Sequence, residues 1–101
     1  MSVLKVTKEN FEQVKASDKT VLLDFYADWC GPCRMVSPLV DQIAQEHPEY
    51  LVGKINVDEQ GELAQAFGVV SIPMLVVMKN GEVVNQSVGA RPKDQILSML
   101  Q

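Results

Sequence analysis

Two cysteines, three residues apart, are the residues best suited to chemistry in this chain. They sit in Trp29-Cys30-Gly31-Pro32-Cys33. The apolar run before them, Val21 to Ala27, reads as a buried strand, and the segment after them, Arg34 to Glu46, carries apolar residues at helical spacing. On a helix, residues three apart share one face. The sulfurs of Cys30 and Cys33 are therefore expected within bonding distance, with a first helical turn supplying the Cβ separation and torsion that a disulfide needs. A helix N-terminus also carries unpaired N–H groups and a partial positive charge. Cys30, just outside the helix, should feel that field, and its thiol pKa should fall. Cys33 is one turn further in, is expected to be the more buried, and should remain a thiol. The expected roles follow: Cys30 attacks, and Cys33 resolves the mixed disulfide. Pro32 fixes φ near the value of a first helical turn and gives up an N–H that would have been unpaired there.

Zinc binding is the competing reading of the pair. A structural zinc site needs four ligands, and only His47 is available to join the cysteines. It lies at the far end of the same helix, roughly 20 Å away at the helical rise. Redox chemistry is favoured, and no metal or organic cofactor is expected. Asp24 interrupts the apolar run Val21-Leu22-Leu23-Asp24-Phe25-Tyr26-Ala27, where a buried charge is costly. It reads either as a strand-face carboxylate that reaches water or as a buried acid beneath Cys33, raised in pKa by desolvation and able to accept the Cys33 proton. Lys54 interrupts the strand Leu51 to Val57 and is expected to pair with Asp24. Trp29, immediately before the attacking sulfur, is expected to dock and shield a substrate.

The remaining chain must hold that site. Its 101 residues suffice for one domain, 1–101, with a modest core, and 47% are hydrophobic. Nine basic against 13 acidic residues give a net charge of −4, which argues against nucleic acid and anionic membrane as partners. No stretch reaches bilayer-spanning length. Met1 to Lys8 lacks the apolar core of a signal peptide, so a cytoplasmic location is expected, where a lone cysteine pair reads as catalytic or metal-binding rather than structural. Val3 to Val6 reads as a strand, and Thr7 as the N-cap of a helix to about Ser17. In the long helix, Met35, Val36, Leu39, Val40, Ile43 and Ala44 form the expected buried stripe, with Pro38 as a kink and His47 as a cation at the terminal carbonyls. A short helix spans Glu62 to Phe67. Met74 to Lys79 and Glu82 to Val88 read as strands joined by a tight Asn80-Gly81 turn. Pro92 opens a last helix. Met78 and Met99, like Met35, read as core. No surplus apolar surface is evident, so a monomer is expected. The order β-α-β-α-β-α-β-β-α gives an α/β fold: a central mixed five-stranded sheet flanked by helices on both faces, with right-handed crossovers.

A C-x-x-C following a strand in such a framework is the pattern by which thioredoxin-like redox proteins are recognised. The chain resembles the thioredoxin family over essentially its whole length. Its five-residue motif matches the family's residue for residue, with Asp24-Phe25 before it and Pro38 after it. Ile72-Pro73 matches the loop that faces the cysteines, and Lys79-Asn80-Gly81 and Val88-Gly89 match the hairpin turn and a second surface glycine. Tyr26, Val70, Ser71 and Met74 depart from the most familiar bacterial pattern near the expected docking surface, which bears on partner choice.

The resemblance implies a thioredoxin fold, a cis bond before Pro73, and substrate contact through Trp29, Ile72, Pro73, Val88 and Gly89. It implies that Asp24 assists Cys33 and that Gly31-Pro32 tunes the pair toward reduction. The implied activity is protein-disulfide reduction, with disulfide-containing client proteins as substrates. The implied electron source is an NADPH-linked flavoenzyme, thioredoxin reductase. Two alternatives stay open on the same fold: a disulfide oxidase or isomerase, and a non-enzymatic docking subunit.

Overall fold

The computed structural model describes residues 3–101; Met1 and Ser2, the start of the stretch read as leaderless, lie outside it. Five strands form one sheet in the order β1-β3-β2-β4-β5: β1 (Leu4–Lys5), β2 (Thr20–Tyr26), β3 (Tyr50–Asn56), β4 (Met74–Lys79) and β5 (Glu82–Val88). The strands β1, β3 and β2 are parallel, whereas β4 runs antiparallel to both β2 and β5. The sheet is mixed, as expected. Residues Val21 to Phe25 of β2 and Met74 to Met78 of β4 are buried throughout, because both strands are covered on two faces.

Side chains alternate across a strand, and the two faces bury different sets. Val21, Leu23 and Phe25 pack with Val14 of α1 (Phe11–Lys15) and Leu63 of α3 (Gly61–Ala66). Leu22, Leu75 and Val77 pack with Val36, Val40, Ile43 and Ala44 of α2 (Gly31–Glu46) and with Ile96 of α4 (Lys93–Met99). The hairpin between β4 and β5 turns at Asn80 (φ 54°) and Gly81 (φ 80°), the paired positive φ values of the tight turn that the dipeptide predicts.

Most element ends fall within a residue or two of expectation, the ordinary scatter of such boundaries. Three readings need correction. The first helix begins at Phe11, not after Thr7. The Asn10 side chain accepts the Thr7 N–H at 2.8 Å, and the Asn10 N–H donates to the Thr7 carbonyl at 3.2 Å. That local exchange holds residues 7–10 in a turn before the helix can start. Met35 is 69% exposed rather than core. It stands one residue, about 100° around the helix, from the inward row led by Val36. His47 does not cap the helix with its ring. Its backbone N–H bonds to the Ile43 carbonyl, while Nδ1 meets Glu49 at 3.0 Å and the ring stacks on Tyr50. Among the described helices, none is long and apolar enough to cross a membrane.

Candidate active site

The strand β2 delivers the chain to the start of α2, and the cysteines occupy that junction. Cys30 is the helix N-cap, with extended backbone angles, and Pro32 stands in the first turn. Cys30 Sγ accepts the Cys33 N–H at 3.3 Å. An otherwise orphaned helix donor thus points at the sulfur, which is the arrangement that stabilises negative charge there. Cys30 and Cys33 are joined as a disulfide, with Cα atoms 5.3 Å apart. Both are buried, at 5% and 3% exposure, so the expected difference in burial between them is small. They pack with Ala27 and against Tyr26, Val57 and Ile72.

The loop before β4 closes over this pair. The Ile72 carbonyl oxygen lies 3.9 Å from Cys30 Sγ, and the Ile72–Pro73 peptide bond is cis. The Gly89 N–H donates to the Pro73 carbonyl at 2.8 Å, and Val88 pairs with Met74. Four of the five positions read as substrate contacts, Ile72, Pro73, Val88 and Gly89, therefore adjoin one another at one end of the sheet. Gly89 has φ +98°, a conformation that favours glycine, and a Cβ there would project into open space. Gly31 likewise has open space where a side chain would be.

Trp29, the fifth position, is 68% exposed, and its indole N–H donates to Asp58 Oδ2 at 2.8 Å. With Ile72, Val70 and Ser71 it lines a cleft of about 210 Å³. Asp58 is not apparent from the sequence; it comes from the turn after β3 and reaches Trp29 only in the folded chain. The exposure of Trp29, Met35, Val70 and Val88 also corrects the expectation of no surplus apolar surface.

Asp24 is 3% exposed, so the water-reaching alternative fails. It shares the sheet face of Leu22, which α2 covers. Its Oδ1 is buried without a hydrogen-bond partner among the described residues. Burial pushes its carboxyl up from 3.8 to about 7; the like charge of Asp41 on α2 adds to this, and Lys54 pulls the other way. Lys54 is its register neighbour on β3, but the expected ion pair does not form among the described residues. The Lys54 ammonium instead lies 6.0 Å from the centre of the Tyr26 ring. Lys54 and Cys33 line a common polar cleft of about 270 Å³ with Tyr26, Arg34 and Ser37. Asp41 is a second residue that the sequence reading does not single out. The available signal is its spacing, since Cys33, Ser37 and Asp41 recur every fourth residue along one helix face. Among the described residues no group of three or more His, Cys, Asp or Glu side chains is arranged to hold a metal ion.

The family model for thioredoxin matches residues 2–101. A thioredoxin from Alicyclobacillus acidocaldarius is 43% identical over 100 residues, covering 98% of this chain and 95% of the relative. One from Porphyra purpurea is 49% identical over 102 residues, covering 99% and 95%. The solved structure of a single-site mutant of the thioredoxin from Halobacterium salinarum superposes with a TM-score of 0.91 at 40% identity, covering 98% of this chain and 88% of that one. With a buried, helix-capping cysteine pair closed as a disulfide, and relatives of this identity along its whole length, the chain belongs to the thioredoxin family and is a thiol–disulfide oxidoreductase.

Proposed function

We propose that this protein reduces client disulfides with Cys30 as the attacking sulfur and Cys33 as the resolving one. The carrying observation is the Cys33 N–H directed at Cys30 Sγ at the helix N-terminus. In the reduced protein that donor and the helix field favour a Cys30 thiolate. The thiolate attacks one client sulfur, the client S–S bond breaks, and the departing thiolate takes a proton. Cys33 then gives its proton to the Asp24 carboxylate, and its sulfur attacks Cys30 Sγ. The second client sulfur leaves as a thiolate and is protonated in turn. The client has gained two electrons, and Cys30 and Cys33 are left joined. A carboxyl raised to about 7 suits a base that must be vacant at neutral pH yet accept a proton readily. Lys54, across the register from Asp24 and on the same cleft as Cys33, supports that transfer by its charge.

The client's extended segment lies against Trp29, Ile72, Pro73, Val88 and Gly89. Proline has no N–H, which leaves the Ile72 backbone to pair with that segment as an added strand. Gly31-Pro32 tunes the potential of the pair. No metal or organic cofactor takes part. A flavin-dependent, NADPH-linked thioredoxin reductase restores the dithiol, and the protein works as a monomer in the cytoplasm. The test is insulin-disulfide reduction with NADPH and a thioredoxin reductase. Turnover that needs both Cys30 and Cys33 is expected. Equilibration with glutathione near the oxidising end would favour the oxidase reading instead. Full cellular function in a Cys30→Ser, Cys33→Ser variant would favour the docking subunit.

A further inference from the structure

Close to the cysteines along α2, and sharing no lining residue with the cleft at Trp29, lies a groove of about 290 Å³. Met35, Val36 and Leu39 of α2 form one wall, and Ala90, Arg91 and Pro92 of the β5–α4 connection form the other. We propose that this groove is a client-selecting subsite that takes an apolar side chain with a carboxylate next to it. The proposal rests on the dithiol–disulfide reading above and adds a substrate class to it.

Five observations support the assignment. The groove adjoins the reacting end of the fold: Met35 follows Cys33 by two residues, and Ala90 follows Gly89, whose N–H is bonded to Pro73. Its lining is apolar apart from Arg91, and Met35 is 69% exposed there. Arg91 is the unsatisfied group. Its Nε is buried without a hydrogen-bond partner among the described residues, and its guanidinium makes a long contact, 3.5 Å, to Gln95 of the helix that follows. Buried donors of a charged group are ordinarily paired. The neighbouring cation, Lys93, is already held by Glu46 at 2.6 Å, and no carboxylate among the described residues lines the groove. The Trp29 cleft carries the reverse charge, because Trp29 is bonded to Asp58. A client segment lying across both would set an acidic residue toward Arg91.

Reach fixes the position of that residue. From Cys30 to Met35 the helix rises about 7 Å, which an extended chain spans in about two residues. The client's apolar residue should therefore stand about two positions from its attacked cysteine, with the carboxylate adjacent.

The experiment uses the full reduced chain, recycled by dithiothreitol, and two disulfide-cyclised peptides identical except for Leu-Asp or Leu-Lys at those positions. Hydroxyethyl disulfide, which has no flanking residues, is assayed alongside. The expected result is a kcat/KM about tenfold higher for the Leu-Asp peptide, the size of a charge-assisted hydrogen bond. Arg91→Gln should bring the peptides within about twofold, Arg91→Glu should reverse their order, and Arg91→Lys should keep it. Equal rates for the two peptides with the unsubstituted protein, alongside reduction of hydroxyethyl disulfide, overturn the subsite alone. Discrimination that survives Arg91→Gln and Arg91→Glu overturns it as well. Failure to reduce any of the three disulfides overturns the dithiol reading beneath it.

Discussion

The two faces of β2 are built differently. Toward α1 and α3 it presents Val21, Leu23 and Phe25, all apolar and buried. Phe25 meets Phe67 with ring centres 5.2 Å apart, and Phe67 meets Phe11 edge-on at 5.6 Å. Toward α2 it presents Leu22 and then Asp24, a buried acid with an unpaired oxygen. The first face is apolar throughout. The second gives up apolar continuity beneath the helix that carries the cysteines. A small fold can hold a destabilising acid under its site because the opposite face of the same strand carries an uninterrupted core.

The largest effect should come from damaging the apolar face. Phe25→Ala should cost about 3–5 kcal/mol in urea unfolding, through lost burial and the cavity left among the aromatic rings. Disulfide reduction per folded molecule should stay near that of the parent. A large loss of rate per folded molecule would break the division between the faces.

The next largest effect should come from relieving the other face. The Asp24 carboxyl titrates at about 7 in the fold against 3.8 ordinarily. Between those values the folded protein holds a proton that the unfolded chain releases, so stability falls as pH rises through that window. The stabilising contribution of the protonated acid is full below about pH 4 and gone above about pH 7. In the oxidised protein Asp24→Asn should abolish this slope and raise stability at pH 8 by roughly 4 kcal/mol. The same substitution should slow client reduction between pH 6 and 8. A variant with the parental stability–pH slope would show that Asp24 is not the group responsible. Unchanged reduction rates would remove its proton-transfer role.

The smallest effect should fall at the exposed rim. Trp29→Phe removes the indole bond to Asp58 and should change stability by less than about 1 kcal/mol, since both partners are exposed. Client reduction should still slow, because the docking surface loses the indole N–H and part of its aromatic area. A rate equal to the parent would assign Trp29 to packing.

What is legible in the sequence is what depends on neighbours along the chain. The apolar run of β2, the C-x-x-C at a helix start and Asn80-Gly81 each carry their geometry locally, and the resemblance to thioredoxins ties them into one fold. Asp24 is legible because a carboxylate in a buried strand has few explanations. Contacts between distant segments are not. Asp58 reaches Trp29 across 29 residues, and Arg91 meets the Met35 wall only after the sheet has brought β5 beside β4. The first helix starts later than its sequence suggests because the Asn10 side chain, rather than Thr7, directs the local turn. Met35 falls outside the core because a helical stripe read one residue too wide takes in its exposed neighbour.

In the proposed mechanism, the helix start holds Cys30 ready as a thiolate. Its most direct test is the alkylation rate of Cys30 in the reduced protein as a function of pH, read beside an unstructured cysteine peptide. Cys30 should react about tenfold faster than the peptide at pH 7 and should titrate below it. A Cys30 rate equal to the peptide's, with the same midpoint, would contradict the account.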